Sequence, residues 1–229
     1  NNSSSSTAIG QFKVFVSQSH DEYWSRQQRE FVTRARDAGV HLAFFSGNEM
    51  YWKIRWEASP VDGAPFRTVV VYKDTQQTRQ LDPVEWTGTW RDGRAINIEG
   101  ARPENEVTGT VWTVNSWRND ALEVPAVFRH HRIWRHTPVE SMPIEKGDIF
   151  ANESKLTLLQ GLLGHEWDED IDNGFRPAGL QRLSATTVDG VHLLLDEGSL
   201  YDTGTATHHL TLYRAASGAL VFGAVTCQL

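Results

Sequence analysis

Phe12-Lys13-Val14-Phe15-Val16 and Val40-His41-Leu42-Ala43-Phe44-Phe45, with the segment between them, decide the fold. The first run is short, apolar and rich in β-branched and aromatic residues, which predicts a strand. Residues 17–23 are polar and turn-like. Ser25 fits a helix N-cap, with Gln28 three residues on as its capping-box partner. Phe31, Val32, Ala35 and Ala38 form an apolar stripe at helical spacing, and Gly39 stands where a C′ glycine belongs. Residues 40–45 read as a second strand, closed by the turn Ser46-Gly47-Asn48. Strand, helix and strand at this spacing make a βαβ unit whose two strands run parallel.

Outward from this unit the pattern changes to strands and turns. Residues 67–72 and 106–114 read as strands, with Asp82-Pro83 and Asp92-Gly93 as turns between them. Trp86, Trp90, Trp112, Trp117 and Trp134 punctuate this middle region. The run at 156–163 is apolar and short, and residues 192–195, 207–213 and 219–225 look like further strands. There is no internal repeat. The expectation is one α/β core over residues 11–229 with a strand-rich insertion, preceded by a polar tail or linker at 1–10, in what reads as a piece of a longer polypeptide.

At 229 residues, 39% hydrophobic and 22% charged, the chain is long enough to bury a full core. Its net charge of −7, with Lys and Arg scattered, argues against a broad nucleic-acid surface. A single cysteine, Cys227, excludes an intrachain disulfide and any cysteine-based zinc site. It fits a reducing, cytoplasmic setting. No apolar run approaches the ~18–20 residues that a membrane helix needs.

In an open parallel sheet, ligands bind beyond the carboxyl ends of the strands. That rule selects Ser19-His20-Asp21-Glu22-Tyr23-Trp24 after the first strand and Ser46-Gly47-Asn48-Glu49-Met50-Tyr51-Trp52 after the second. Gly164-His165-Glu166-Trp167-Asp168 is a third candidate, at what reads as another strand end. Two phenols and a carboxylate are hard oxygen donors that suit a high-valent iron, which would hold the phenols ionised. The packing alternative is equally concrete: a Tyr-Trp pair buries its rings and satisfies one hydroxyl, and a His-Glu pair forms a structural hydrogen bond.

Other patterns carry less. The run from Asp168 to Gly174 alternates carboxylates like a calcium loop, yet its twelfth position, Gly179, is not the required Glu. His130-His131 and His208-His209 are neighbours that a strand would send to opposite faces. No Gly-x-Ser-x-Gly elbow is present and Cys227 has no evident base, so serine or thiol catalysis lacks support.

At these segments the chain resembles the N,N-dimethylformamidase large (beta) subunit family, in its C-terminal catalytic domain. The matching stretches run collinearly: residues 19–25, 35–48, 51–55, Val71-Tyr72-Lys73-Asp74, Arg102-Pro103-Glu104, residues 164–168 and Gly218-Ala219-Leu220-Val221-Phe222. The resemblance implies an α/β fold like class I glutamine amidotransferases (flavodoxin-like), without the cysteine nucleophile. It also implies a mononuclear iron (Fe3+) held by Tyr23, Tyr51 and Glu166, with Tyr72 as a competing second phenol. His165, His20 and Glu22 would move protons, while Trp24, Phe45, Asn48 and Trp52 would line a pocket for a small N-substituted amide. The implied reaction is hydrolysis of a non-peptide C–N bond by water activated at the metal, in an oligomer or with an associated subunit or domain. The rival expectation is a non-catalytic domain of the same fold that binds carbohydrate or protein through its aromatic residues.

Overall fold

The computed structural model describes residues 11–143, 154–226 and 228. The polar start at 1–10 and Cys227 lie outside them. Strand β1 (Val14–Gln18) leads through the short β2 (Tyr23–Ser25) into helix α1 (Arg26–Asp37) and then strand β3 (His41–Phe45). β1 and β3 pair in parallel, Val14 opposite His41 through Gln18 opposite Phe45. The helix starts where the sequence puts it. The Ser25 hydroxyl accepts from the Gln28 N–H, and the Gln28 side chain accepts from the Ser25 N–H, so two otherwise orphaned donors are satisfied. Arg34 and Arg36 in the last turn complement the helix dipole. Gly39 follows the C-cap with φ +95°, a left-handed conformation that favours glycine.

The buried face of α1 differs in part from the expected stripe. Val32 and Ala35 are buried, but Ala38 is exposed and Arg29 is fully buried. The Arg29 guanidinium donates to the carbonyls of Arg102 and Pro103 and pairs with Glu106. Burial lowers its pKa to about 10. Below the helix, Trp24, Leu42, Phe44 and Val221 form one hydrophobic cluster with Val32. Each such side chain contributes roughly 1.5–3 kcal/mol on burial.

Beside β3 lies β14 (Leu220–Gly223), also parallel. β13 (Thr211–Arg214) and β10 (Gln181–Arg182) then extend the sheet antiparallel, in the order β1-β3-β14-β13-β10. The parallel part therefore amounts to three strands, α1 is the one α-helix among the described residues, and β7 (Glu123–Pro125) pairs antiparallel with β8 (Lys155–Thr157) as a separate ribbon. A second body is all antiparallel. β6 (Val111–Asn115), β9 (Glu166–Glu169), β11 (Thr186–Leu194) and β12 (Tyr201–His208) close into a four-stranded barrel. Trp167, Val114, Val191 and Ala206 belong to the hydrophobic cluster that fills it. The two bodies are stitched along a seam of several bonds: the Asp168 N–H donates to the Val225 carbonyl at 3.1 Å, Trp167 bridges to Thr226, the Asn48 N–H donates to the Asp168 carboxylate and the His208 ring to the Ala224 carbonyl. That seam brings Glu166 to the rim where β1 and β3 end.

Three element expectations are corrected. The strand read at 106–114 begins only at Val111, because Glu104–Glu106 is a 3-10 turn. Thr108 and Gly109 donate back to the carbonyls of Glu104 and Asn105. The strand at 67–72 shrinks to β5 (Thr68–Val70), paired with β4 (Trp52–Glu57). His165-Glu166 opens strand β9 rather than ending one. Much of the middle region holds its shape through buried carboxylates. Asp74 accepts the backbone N–H groups of Leu81, Asp82 and Thr87, and the fully buried Lys53 ammonium sits between Glu85 and Glu99.

Candidate active site

Two loops build the floor of the site, and both are strained. Ser19, Asn48 and Met50 have φ of 70°, 65° and 52°, a left-handed region that non-glycine residues enter at a cost of about 1–3 kcal/mol. The loops are tied together along the backbone. Ser19 donates to the Phe45 carbonyl, Met50 to the Asp21 carbonyl and Trp52 to the Glu22 carbonyl. The Trp24 indole N–H donates to the Asp21 carbonyl at 2.8 Å, which fixes the first loop from below. Gly47 passes against the start of β9 so closely that an added Cβ would lie 2.5 Å from the Glu166 carbonyl oxygen.

On this floor three candidate donors come together, and of them only Glu166 is an expected ligand; the other two are imidazoles expected to move protons. His20 Nδ1 lies 2.8 Å from Glu166 Oε2, and the His20 and His165 rings approach to 5.2 Å between centroids. One donor atom each from His20, His165 and Glu166 all lie within 4.8 Å of one another. The Asn48 side-chain amide donates to Glu22 Oε2 at 2.9 Å and, at a longer 3.5 Å, to Glu166 Oε1. Burial, and then the charge of Glu166, raise the Glu22 pKa; burial raises that of Glu166 against the opposing pull of His20. Burial also lowers the His165 pKa, and His20 adds to the effect. Two carboxylates are thus crowded together and hold their protons more tightly than in water. A cation between them and the two imidazoles would relieve the repulsion, and imidazole with carboxylate is a ligand set for iron or zinc. The residues present fit a mononuclear cation.

The expected ligands divide. Tyr23 belongs to this site: it is 39% exposed, and the charges of Glu22 and Glu166 raise its pKa further after burial has done so. The Lys73 ammonium lies 5.8 Å from the Tyr23 ring centroid and 4.5 Å from that of Trp52, and its charge opposes the rise at Glu22. Tyr51 does not join them. Its hydroxyl donates to the Glu197 carbonyl at 2.8 Å. Its ring packs edge-on against Trp52 and Trp112 and under the Arg91 guanidinium. Burial pushes this phenol well above its ordinary pKa. The cause lies in the register: β2 pairs with β4 so that Tyr23 faces Trp52, and the residue before Trp52 turns to the other side. Tyr72, the competing phenol, is exposed.

Of the expected pocket residues, Asn48 and Trp52 border the site, while Trp24 and Phe45 serve the core. Phe45 packs on Phe222 at 5.6 Å. Three neighbours escaped the sequence reading. Lys73 lay within a quoted motif and could have been singled out. Trp117, 91% exposed, stacks on His165 at 5.1 Å with a 10° interplanar angle. Tyr201 bonds Asn115 and feels Glu166, and nothing local in its strand marks it.

Behind the site lies a second acidic group. Asp168 accepts the Asn48 N–H at 2.9 Å and the Thr110 hydroxyl at 3.1 Å, and burial raises its pKa to about 8. Glu49 is fully buried beside Asp21 and Asp168 and is pushed well up, by burial first. The acidic run that follows is structural at Asp170, which takes Arg176 and Arg182.

The family model for the C-terminal domain of N,N-dimethylformamidase beta subunit-like proteins matches residues 2–229. No curated protein matches the chain. No helix of the described residues is long and apolar enough to cross a membrane.

Proposed function

Because the chain belongs to the N,N-dimethylformamidase beta subunit-like family, in its C-terminal domain, we propose that it hydrolyses the C–N bond of a small N-substituted amide at the His20–His165–Glu166 rim. The observation that carries this reading is the convergence of those three donors within 4.8 Å, with His20 beyond the carboxyl end of β1 and His165-Glu166 brought to it at the start of β9. They would hold a mononuclear iron, with Tyr23 beside it. When bound, the metal supplies polarisation of the amide carbonyl and acidification of water.

The chain's own groups do the rest. Glu22, held by Asn48 and carrying a raised pKa, is suited to take a proton from the attacking water and return one to the departing nitrogen. Water adds to the carbonyl carbon, the C–N bond breaks, and the products are a carboxylic acid and an amine. Trp52, capped by Lys73, offers an apolar wall to the N-alkyl groups. The amidotransferase-like core and a cytoplasmic setting belong to the same proposal; the βαβ unit and the lone cysteine support them. An associated subunit or domain is part of it too, in keeping with a family described by its beta subunit.

Two observations favour the rival reading of a carbohydrate- or protein-binding domain. Tyr51 is engaged elsewhere, and the exposed Trp117 offers an open indole face of the kind that sugars and partners use. Iron-loaded protein assayed for dimethylamine release from dimethylformamide separates the two. The hydrolase reading expects turnover that Glu166→Gln lowers by at least a hundredfold; bound metal without turnover of any N-substituted formamide supports the rival.

A further inference from the structure

Asn48 combines two unfavourable features with three hydrogen bonds to carboxylates. Its backbone is left-handed, φ 65°, and its Oδ1 is buried without a hydrogen-bond partner among the described residues. An orphaned acceptor of this kind is destabilising, because it gives up its bonds to water and gains none in return. Such a group calls for an explanation, and the other end of the side chain offers one. That end, Nδ2, lies between two carboxylates, 2.9 Å from Glu22 and 3.5 Å from Glu166. Its backbone N–H is anchored in turn on the buried Asp168 at 2.9 Å. Asn48 is 1% exposed and follows Gly47, whose backbone abuts the Glu166 carbonyl.

We propose that Asn48 is the positioning residue of this site: its amide spaces the Glu22 and Glu166 carboxylates and holds Glu166 against His20. The inference rests on the reading of Glu166 as a functional carboxylate. It assigns Asn48 a role in placing the acids rather than in lining a pocket. A neutral donor suits the task, because it bonds both carboxylates without adding a charge that would compete with a bound cation. Aspartate at this position would add a third negative charge and remove both N–H donors.

The test uses the full chain with Asn48→Gly, Asn48→Asp and Glu166→Gln. Glycine accepts the left-handed backbone and leaves the Asp168 anchor intact, so it removes the amide alone. We expect Asn48→Gly to melt within a few degrees of wild type, to weaken iron binding by about 10–100-fold and to lose the downfield proton NMR signal of the His20 imidazole N–H held by Glu166. Asn48→Asp should be at least as damaging. Wild-type iron affinity and an unchanged His20 signal in Asn48→Gly, with Glu166→Gln impaired, would overturn this inference alone. If Glu166→Gln is also indistinguishable from wild type, the reading of the site falls with it.

Discussion

Gly47→Ala tests how the two bodies of the fold place Glu166. The new Cβ would meet the Glu166 carbonyl oxygen at 2.5 Å, the Glu166 carbonyl carbon at 2.8 Å and Trp167 Cα at 2.9 Å. All three are backbone atoms, so no side chain can rotate away. Ordinary contact begins at 3.4 Å, so β9 must retreat by ~0.9 Å at that point against its packing. Overpacking of this size costs about 1–3 kcal/mol, or roughly 2–12 °C in melting temperature for a chain of this length. Displacing a reacting group by about 1 Å can cost on the order of a hundredfold in rate. Gly39→Ala is the matched control. It faces open space but has φ +95°, so it should lose about 1–2 kcal/mol without moving Glu166. The assays are thermal melting, iron stoichiometry and dimethylamine release. Gly47→Ala should lose activity far out of proportion to its melting temperature, and Gly39→Ala should not. Equal activity in two equally destabilised variants would refute the reasoning.

Two further outcomes follow from side chains away from the metal cluster. Tyr51→Phe should lose the bond to the Glu197 carbonyl, about 1 kcal/mol, while iron content stays unchanged; loss of iron would restore Tyr51 as a ligand. His208 is fully buried, donates to the Ala224 carbonyl, and burial lowers its pKa to about 3. The unfolded imidazole titrates near ~6.5, so the unfolded chain takes up a proton that the folded chain refuses. Stability should therefore fall as pH drops from ~6.5 towards 3, by about 2 kcal/mol at pH 5. His208→Gln should flatten the change in melting temperature between pH 7 and pH 5; an already flat wild-type profile would contradict the assignment.

The sequence was most legible where local signals agree with long-range packing. Ser25, Gln28 and Gly39 bounded α1 because caps and left-handed termini are set by neighbours a few residues away. The parallel pairing of β1 and β3 followed from the same unit. The segments after β1 and β3 were legible too, since ligands are expected beyond strand ends in such a sheet, and His20, Glu22, Tyr23 and Asn48 do come together there; Glu166 joins them from the start of β9, not from a strand end. What stayed hidden depends on distant partners. Tyr51 turns away because Glu197, 146 positions later, supplies the acceptor for its hydroxyl. Arg29 reads as a solvated helix residue until the carbonyls of Arg102 and Pro103 are seen to bury it. The strand read from Glu106 starts only at Val111, because Glu104 is buried against Arg91 and takes the Trp112 N–H, which holds a turn just before the strand.

The most direct measurement is an anomalous difference map at the iron edge from crystals of the iron-loaded protein. The account predicts one peak bounded by His20, His165 and the Glu166 carboxylate, with the Tyr51 hydroxyl still on the Glu197 carbonyl. A peak bonded to Tyr51, or no peak at this rim in active protein, would contradict it.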